Sequence, residues 1–287
     1  MGENLKKTFA ALEADIMCEI KDIVYPLESR LIFHNHDGYE MTLLLNGELA
    51  LYNEGDGAVL KRGDIVLLDE FEFHRAQLLS NDTYDRIVIN FKKPKIKELS
   101  TEKTDLLKGF RLRDGSKINV IHFEEEDIEK YADIAVRLRD ALGDKKFGAD
   151  ILADAALTEL LVLVNRVGTR TDTPAYEGIL PEVVAKAFNY IEAHIADDLS
   201  LSTIEKELKY NGTYISRCFK QTLGISLQKY IIAKRISVAQ KMLKEGDTAY
   251  NVCFLAGFSN YSNFSRTFRQ HIGMSPREYR DEVYKIK

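Results

Sequence analysis

Between Glu19 and Phe91 the apolar residues come in short runs: Leu31-Ile32-Phe33, Met41 to Leu45, Leu49-Ala50-Leu51, Ile65 to Leu68 and Ile87-Val88-Ile89. They are separated by Asp37-Gly38, Asn46-Gly47, Gly55-Asp56-Gly57, Arg62-Gly63-Asp64 and Ser80-Asn81-Asp82. Strands recurring this closely, with turn residues between them, predict a β-sandwich or small barrel. Asn46-Gly47, with an apolar run on each side, is the strongest hairpin signal. After Lys92-Lys93-Pro94 a polar connector is expected, then a strand over Ile118 to His122. The period then changes. Asp127 to Leu142 and Ala149 to Val167 carry Ile, Ala, Val and Leu at three- and four-residue spacing, which predicts two amphipathic helices.

From Pro181 onward the pattern is wholly helical, with about seven short helices. The first is Val183 to Ile195, entered at Pro181. Ser202 begins the second, with Glu205 in capping-box position. Thr213 to Leu223 follows a tight Asn211-Gly212 turn and ends before Gly224. The longest, Ser226 to Leu243, carries Ile232, Ile236, Ala239 and Leu243 as one stripe. The last three run from Ala249 to Leu255, from Tyr261 to Ile272, and from Pro276 toward the C-terminus. Gly168 to Leu180, with Gly, Thr, Asp and Pro, punctuates the chain without packing. The expected organisation is a domain over 1–167, a linker over 168–180 and a second domain over 181–287, an α+β protein of two domains.

A length of 287 residues agrees with two cores, and 45% hydrophobic with 30% charged residues excludes a disordered or low-complexity chain. Glu3, Glu13, Asp15 and Glu19 interrupt the opening stretch Met1 to Ile20, which predicts neither a signal peptide nor a membrane helix and makes the cytoplasm the expected address. Cys18, Cys218 and Cys253 are too far apart for a zinc motif or disulfide framework and are read as free thiols. The net charge of −5 argues against a nucleic-acid partner until it is divided along the chain. Pro181 to Lys287 holds 16 Lys and Arg against 11 Asp and Glu, a balance of +5, whereas Met1 to Leu180 stands at −10. The two halves therefore have different electrostatic roles.

One unit occurs twice in the basic half. Asn211-Gly212-Thr213-Tyr214-Ile215-Ser216-Arg217-Cys218-Phe219-Lys220 matches Asn260-Tyr261-Ser262-Asn263-Phe264-Ser265-Arg266-Thr267-Phe268-Arg269, and each is followed by Gly-x-Ser. A short helix and a turn precede each copy, which is the helix-turn-helix arrangement whose second helix enters the major groove. Ile215 and Phe219, or Phe264 and Phe268, share a packing face, while the Ser, Arg and Lys residues project elsewhere. Ordinary bundle helices with solvated faces are the competing reading; the duplication and the basic balance weigh against it.

Leu199 to Arg280 resembles the DNA-binding domain of the AraC/XylS family of bacterial transcription regulators. The resemblance rests on Tyr214 to Lys220, on Tyr230 through Arg235 with Ala239 to Leu243, and above all on Ala256 to Arg269 with Gly273-Met274-Ser275-Pro276. Glu205 and Cys253 stand where the family usually has alanine, and Ala249 where it usually has isoleucine. The resemblance implies two helix-turn-helix units, joined by the long helix, entering successive major grooves of double-stranded promoter DNA. By matching position, the base-facing candidates are Thr213, Ser216 and Arg217 in the first unit and Tyr261, Ser262, Ser265 and Arg266 in the second. Arginine suits guanine because its donors match O6 and N7. Lys220 and Arg269 are expected on phosphates. Arg235, near the apolar side of the long helix, is expected in a buried ion pair.

His34-Asn35-His36, then Glu40, Gly47, Gly63 and His74, follow the spacing of the two cupin motifs, so this half resembles the cupin-like β-barrel with accessory helices that many AraC-type regulators carry as a sensor. Alternation would put His34 and His36 on one strand face, Glu40 on the returning strand, and His74 as the fourth member. Three readings stay open: a divalent metal site for Zn, Fe, Ni or Mn, hydrogen bonds to an organic effector, or a polar cluster satisfied within itself. Asp69 and Phe71 replace the proline and glycine of the usual second motif. The expectation is a non-enzymatic transcriptional regulator that takes a small-molecule effector, a sugar or another metabolite, in its N-terminal barrel. It requires no cofactor. A homodimer formed through the two helices is expected, and RNA polymerase is a further partner. The competing function is a metal-dependent cupin enzyme with a helical appendage.

Overall fold

The computed structural model describes residues 9–10, 12, 14–23, 33–79, 84–111, 118–170 and 178–285. They form two compact units. One is helical and takes everything from Leu180 onward together with residues 9–10 and 33–34; the other is strand-rich and takes residues 12–23 and 35–179 as far as they are described. Phe33, expected in a barrel strand, thus belongs to the helical unit, while Leu31 and Ile32 of the same run lie outside the described residues. The expected boundary at 167 falls inside a helix, and Ile179 donates its amide to Gly57 O at 3.2 Å within the strand-rich unit. Residues 171–177 of the expected linker, Ser80-Asn81-Asp82, and most of Met1 to Ile20 up to residue 13 lie outside the described residues.

Besides the two-residue strand Asn35–His36, the two main sheets of the strand-rich unit are built, among the described residues, on eight antiparallel strands: β1 (Ile16–Ile23), β2 (Tyr39–Asn46), β3 (Leu49–Asn53), β4 (Gly57–Leu60), β5 (Asp64–Leu68), β6 (His74–Leu78), β7 (Tyr84–Phe91) and β8 (Val120–His122). Five form one sheet in the order β8-β5-β2-β7-β1, and three another in the order β4-β3-β6. Period-two alternation divides the faces of the larger sheet. Met41, Leu43, Ile65, Ile87 and Ile89 pack against helices α2 (Glu125–Gly143) and α3 (Ala149–Thr169), whereas Leu44, Val66, Leu68 and Val120 meet Leu49, Leu51, Leu60 and Leu78 of the smaller sheet.

Two local expectations are corrected. Asn46-Gly47 is a tight turn with Gly47 at φ +91°, but it makes no hairpin. Its flanking strands pair with other partners, and the turn carries the chain from one sheet to the other. The stretch after Lys92 is helix α1 (Lys93–Leu99), not connector, with Pro94 in its first turn, where the missing amide hydrogen costs nothing.

The helical unit contains α4 (Glu182–Ala193), α5 (Leu201–Leu208), α6 (Gly212–Leu223), α7 (Leu227–Glu245), α8 (Ala249–Leu255), α9 (Tyr261–Ile272) and α10 (Pro276–Lys285). The cap of α5 is Ser200, whose hydroxyl accepts from the Thr203 amide at 3.3 Å, so the Ser202–Glu205 capping box is not formed. Asp198 buttresses that cap, accepting from the Ser200 amide and hydroxyl and from the Thr203 hydroxyl. Instead of one stripe, α7 buries Leu227, Tyr230, Ile231, Ala233, Ile236, Ser237, Ala239, Gln240 and Leu243, because it serves two cores. Tyr230 packs edge-on or tilted against the rings of Phe33, Phe188 and Phe219 near one end, and Ile236, Ala239 and Leu243 join the core of α8 to α10. Ile232, expected in the stripe, is only half-buried.

Arg235 is half-buried, and among the described residues it makes no ion pair of the kind expected. Its Nε donates to Ile195 O at 3.0 Å and its Nη2 to Asp197 O at 2.7 Å, so it caps the chain leaving α4 through main-chain carbonyls. Gly257 sits against it at φ +85°, where a Cβ would lie 2.3 Å from Ile195 O, so only glycine fits this turn.

Candidate functional site

The two repeated helices are organised alike from their caps outward. Asn211 accepts from the Thr213 and Tyr214 amides at 3.0 and 3.3 Å, and Asn260 from the Asn263 amide at 2.8 Å, satisfying first-turn donors that the helix itself leaves open. Asn211 is therefore a cap, and Gly212 the first helical residue, where a turn was expected. Inward, Ile215, Phe219 and Leu223 are buried on α6, and Phe264 and Phe268 on α9. Phe219 lies 5.3 Å from the Phe188 ring; Phe264 lies 5.1 Å from Phe258 and Phe268 5.6 Å from Tyr279. Burying each phenyl ring contributes about 1.5–3 kcal/mol, which fixes the rotation of each helix.

That rotation turns the polar side outward. Thr213, Arg217 and Lys220 are exposed and Ser216 half-exposed; Ser262, Arg266 and Arg269 are exposed, with Tyr261 and Ser265 half-exposed. The Arg217 guanidinium lies 5.6 Å over the Tyr214 ring, and Arg266 Nη2 donates to Asn263 Oδ1 at 3.1 Å. Neither guanidinium has a carboxylate partner among the described residues. Chemically, each helix presents a two-donor fork flanked by hydroxyls and a second cation, a set suited to base edges and phosphates.

In the strand-rich unit His36, Glu40 and His74 come together, with one ligating atom from each within 4.8 Å of the others. His34 is not among them. The strand preceding the turn is only Asn35–His36, so the alternation that would align His34 with His36 does not reach it. His36 Nε2 lies 3.0 Å from Glu40 Oε2, which also accepts from Asn90 Nδ2 at 3.0 Å, while Oε1 accepts from the Thr42 hydroxyl at 2.8 Å. Burial disfavours an imidazolium at His36, but its bond to Glu40, that carboxylate's charge and the Gly38 carbonyl outweigh it and raise the pKa. Burial likewise opposes the Glu40 charge, yet His36, His74 and Asn90 hold the carboxyl well below the usual range. Each partner thus favours the charged form of the other.

The same atoms fit a metal. Nδ1 of His36 faces Gly38 O at 2.8 Å and Nδ1 of His74 faces Glu72 O at 3.0 Å, the outer contacts that orient ligating imidazoles through Nε2. Two nitrogens and one oxygen could hold a divalent ion, one ligand fewer than the expected four. Phe71, where the cupin motif has glycine, adopts φ +65° and donates its amide to His36 O at 2.8 Å, so a strained residue positions the cluster.

A family model described as an AraC-like ligand binding domain matches residues 24–161, and one described as a helix-turn-helix domain matches residues 204–282. The chain belongs to the AraC/XylS family. An uncharacterised HTH-type transcriptional regulator of Staphylococcus aureus is 23% identical over 257 residues, 89% of this chain and 33% of its own length. YobQ of Bacillus subtilis, also an uncharacterised HTH-type regulator, is 36% identical over 99 residues, 34% of this chain and 41% of its own. Thus this AraC-family chain spans about a third of the length of the first relatives it matches. The crystal structure of ToxT from Vibrio cholerae aligns over 94% of this chain and 98% of its own, at 17% identity and a TM-score of 0.36.

Sequence reasoning missed Thr42 and Asn90, which complete the bonding of Glu40, and the nearby Arg86. A signal existed for two of them: Arg86 and Asn90 flank the apolar run Ile87-Val88-Ile89 at even spacing with Val88, as polar residues aimed into a barrel do.

Proposed function

We propose that this AraC-family chain binds promoter DNA sequence-selectively through its paired helix-turn-helix units and regulates transcription in response to a small molecule held by the strand-rich unit, acting in the cytoplasm. What carries the reading is the placement of Arg217 and Arg266 on exposed faces of matched helices, with no carboxylate among the described residues engaging either. Thr213, Ser216 and Arg217, with Tyr261, Ser262, Ser265 and Arg266, face bases; Lys220 and Arg269 hold phosphates. Promoter-fragment binding followed across a salt series is expected to weaken as salt rises, because phosphate contacts release counterions. Arg266→Ala is expected to cost about 1–3 kcal/mol at one base pair. Equal loss on random DNA would refute base readout by Arg266.

The assembly we propose is a homodimer through α2 and α3, supported by Phe147, Ile151 and Leu152, which stand 107%, 68% and 63% exposed near the tip of that helical hairpin. RNA polymerase is the further partner of such a dimer on DNA. The effector is a metabolite bound in the strand-rich unit near His36, Glu40 and His74. His36 and Glu40 already pair with each other, so we assign the cluster no cofactor in this role, although Zn, Fe, Ni or Mn would fit the donors of His36, Glu40 and His74. Elemental analysis of untagged protein, paired with ligand binding before and after a chelator, decides between the two uses of the cluster. We propose no catalytic role.

A further inference from the structure

The larger sheet is two strands wider than the smaller sheet facing it. Register sets Lys21, Arg86 and Leu44 in one row across β1, β7 and β2, and Leu44 belongs to the apolar layer between the sheets, so Arg86 shares that inward face. Tyr84, two residues away on the same face, accepts from Arg86 Nη1 at 3.0 Å and lies beneath the guanidinium, 5.0 Å from its carbon. This contact fixes the plane of the group. On its other edge Nε is buried and has no hydrogen-bond partner among the described residues. Nε and Nη2 together form the two-donor fork that matches a carboxylate.

The nearby carboxylates do not fill that edge. Glu40 is engaged by His36, Thr42 and Asn90, and Glu19 is bonded to Lys21. Both act on Arg86 only through space. Leu44 and Val88, on the strand positions beside the fork, are apolar and buried.

We infer that Arg86 anchors the effector of this protein and that the effector is a small organic carboxylate with an apolar body. Its two oxygens take the Nε/Nη2 edge, and its carbon skeleton lies along Leu44 and Val88. Glu40 and Glu19 disfavour a dianion at the same place, which selects a monocarboxylate over a phosphate. The inference rests on the sensor reading above and names its ligand class.

The test uses the full chain, with thermal melting and calorimetric titration against acetate, hexanoate and benzoate; hexanamide and inorganic phosphate are the controls. Hexanoate or benzoate is expected to raise Tm in a dose-dependent way, with no shift from hexanamide or phosphate. Arg86→Lys keeps the charge but loses the fork, and is expected to weaken the carboxylate at least tenfold; Arg86→Met is expected to abolish the shift. Should Arg86→Met not fold, the comparison of Arg86→Lys with the unaltered protein decides. Equal effects of hexanamide and hexanoate, an effect of phosphate equal to that of the carboxylates, unchanged affinity in Arg86→Lys, or no response to any carboxylate overturns the inference. Promoter binding is measured in parallel. If it is selective while no carboxylate responds, only the ligand class fails; if it is absent, the regulator reading fails whatever the titration shows.

Discussion

The two helix-turn-helix units present nearly the same outer chemistry on differently built interiors. In the first, α6 rests on Phe188 and Tyr230, and the ring of Phe33, distant in sequence, lies tilted 6.0 Å from that of Phe188. In the second, α9 rests on residues local to it: Val252, Cys253, Phe258 and Tyr279. The turns differ as well. Lys209 takes the left-handed conformation in the first unit at φ 58°, whereas Gly257 takes it in the second at φ +85°. Similar outer faces on dissimilar supports show that the motif constrains what is presented more than how it is held. Each support should therefore be breakable on its own.

The largest expected effect comes from Phe219→Ala and Phe264→Ala. Each should cost about 3–5 kcal/mol by urea denaturation, since a buried ring is lost and a cavity left. Footprinting should show each variant losing protection over one half of the operator only. Loss over both halves in a variant that circular dichroism shows to be folded would mean the supports are not separate.

Exchanging the turn residues sharpens the contrast. Lys209→Gly should stabilise the protein by about 1 kcal/mol, because a side chain is disfavoured in that backbone region. Gly257→Ala should destabilise it by more than that, because the new Cβ meets Ile195 O. Thermal melts of the two variants shifting in the same direction would contradict the assignment.

Acid should separate the units further. His271 on α9 matches Thr222 on α6, and burial holds its pKa below the ordinary value. The unfolded chain binds that proton more readily. Stability from neutral His271 is therefore present above the unfolded pKa, about 6.5, and lost as pH falls through the folded one. Hydrogen exchange between pH 7 and 5 should show α9 losing protection ahead of α6, and His271→Gln should abolish the difference. The smallest effect concerns thiols: Cys218, half-exposed on α6, should react with iodoacetamide faster than buried Cys253 or than Cys18, whose thiol burial pushes up to about 11. Promoter DNA should slow labelling at Cys218.

Much of this comparison was legible in the residues. The limits of α8 and α9, Ala249–Leu255 and Tyr261–Ile272, coincide with those expected, because cap, apolar period and terminal glycine agree there. Some failures required a partner remote in sequence, and others had too little local pattern to read. Asn46-Gly47 correctly signalled a positive φ, but pairing across the sheets made it a corner. Cupin-like spacing found Glu40, which joins the cluster, but period-two alternation failed for His34, because the strand is only two residues long there. Ile96 alone is buried in α1, too little apolar period to reveal a helix among lysines. Arg235 finds carbonyls some forty residues away that no local pattern announces.

Helix α7 carries a mechanical implication. Because its 19 residues enter both cores without interruption, it acts as a rigid shaft about 28 Å long between two reading heads. Its length sets their phase as well as their separation. One extra residue near its middle would advance the second head by only about 1.5 Å but swing it through about 100°, so tolerance to insertion there should be governed by angle, with partial recovery once the added residues approach a whole turn.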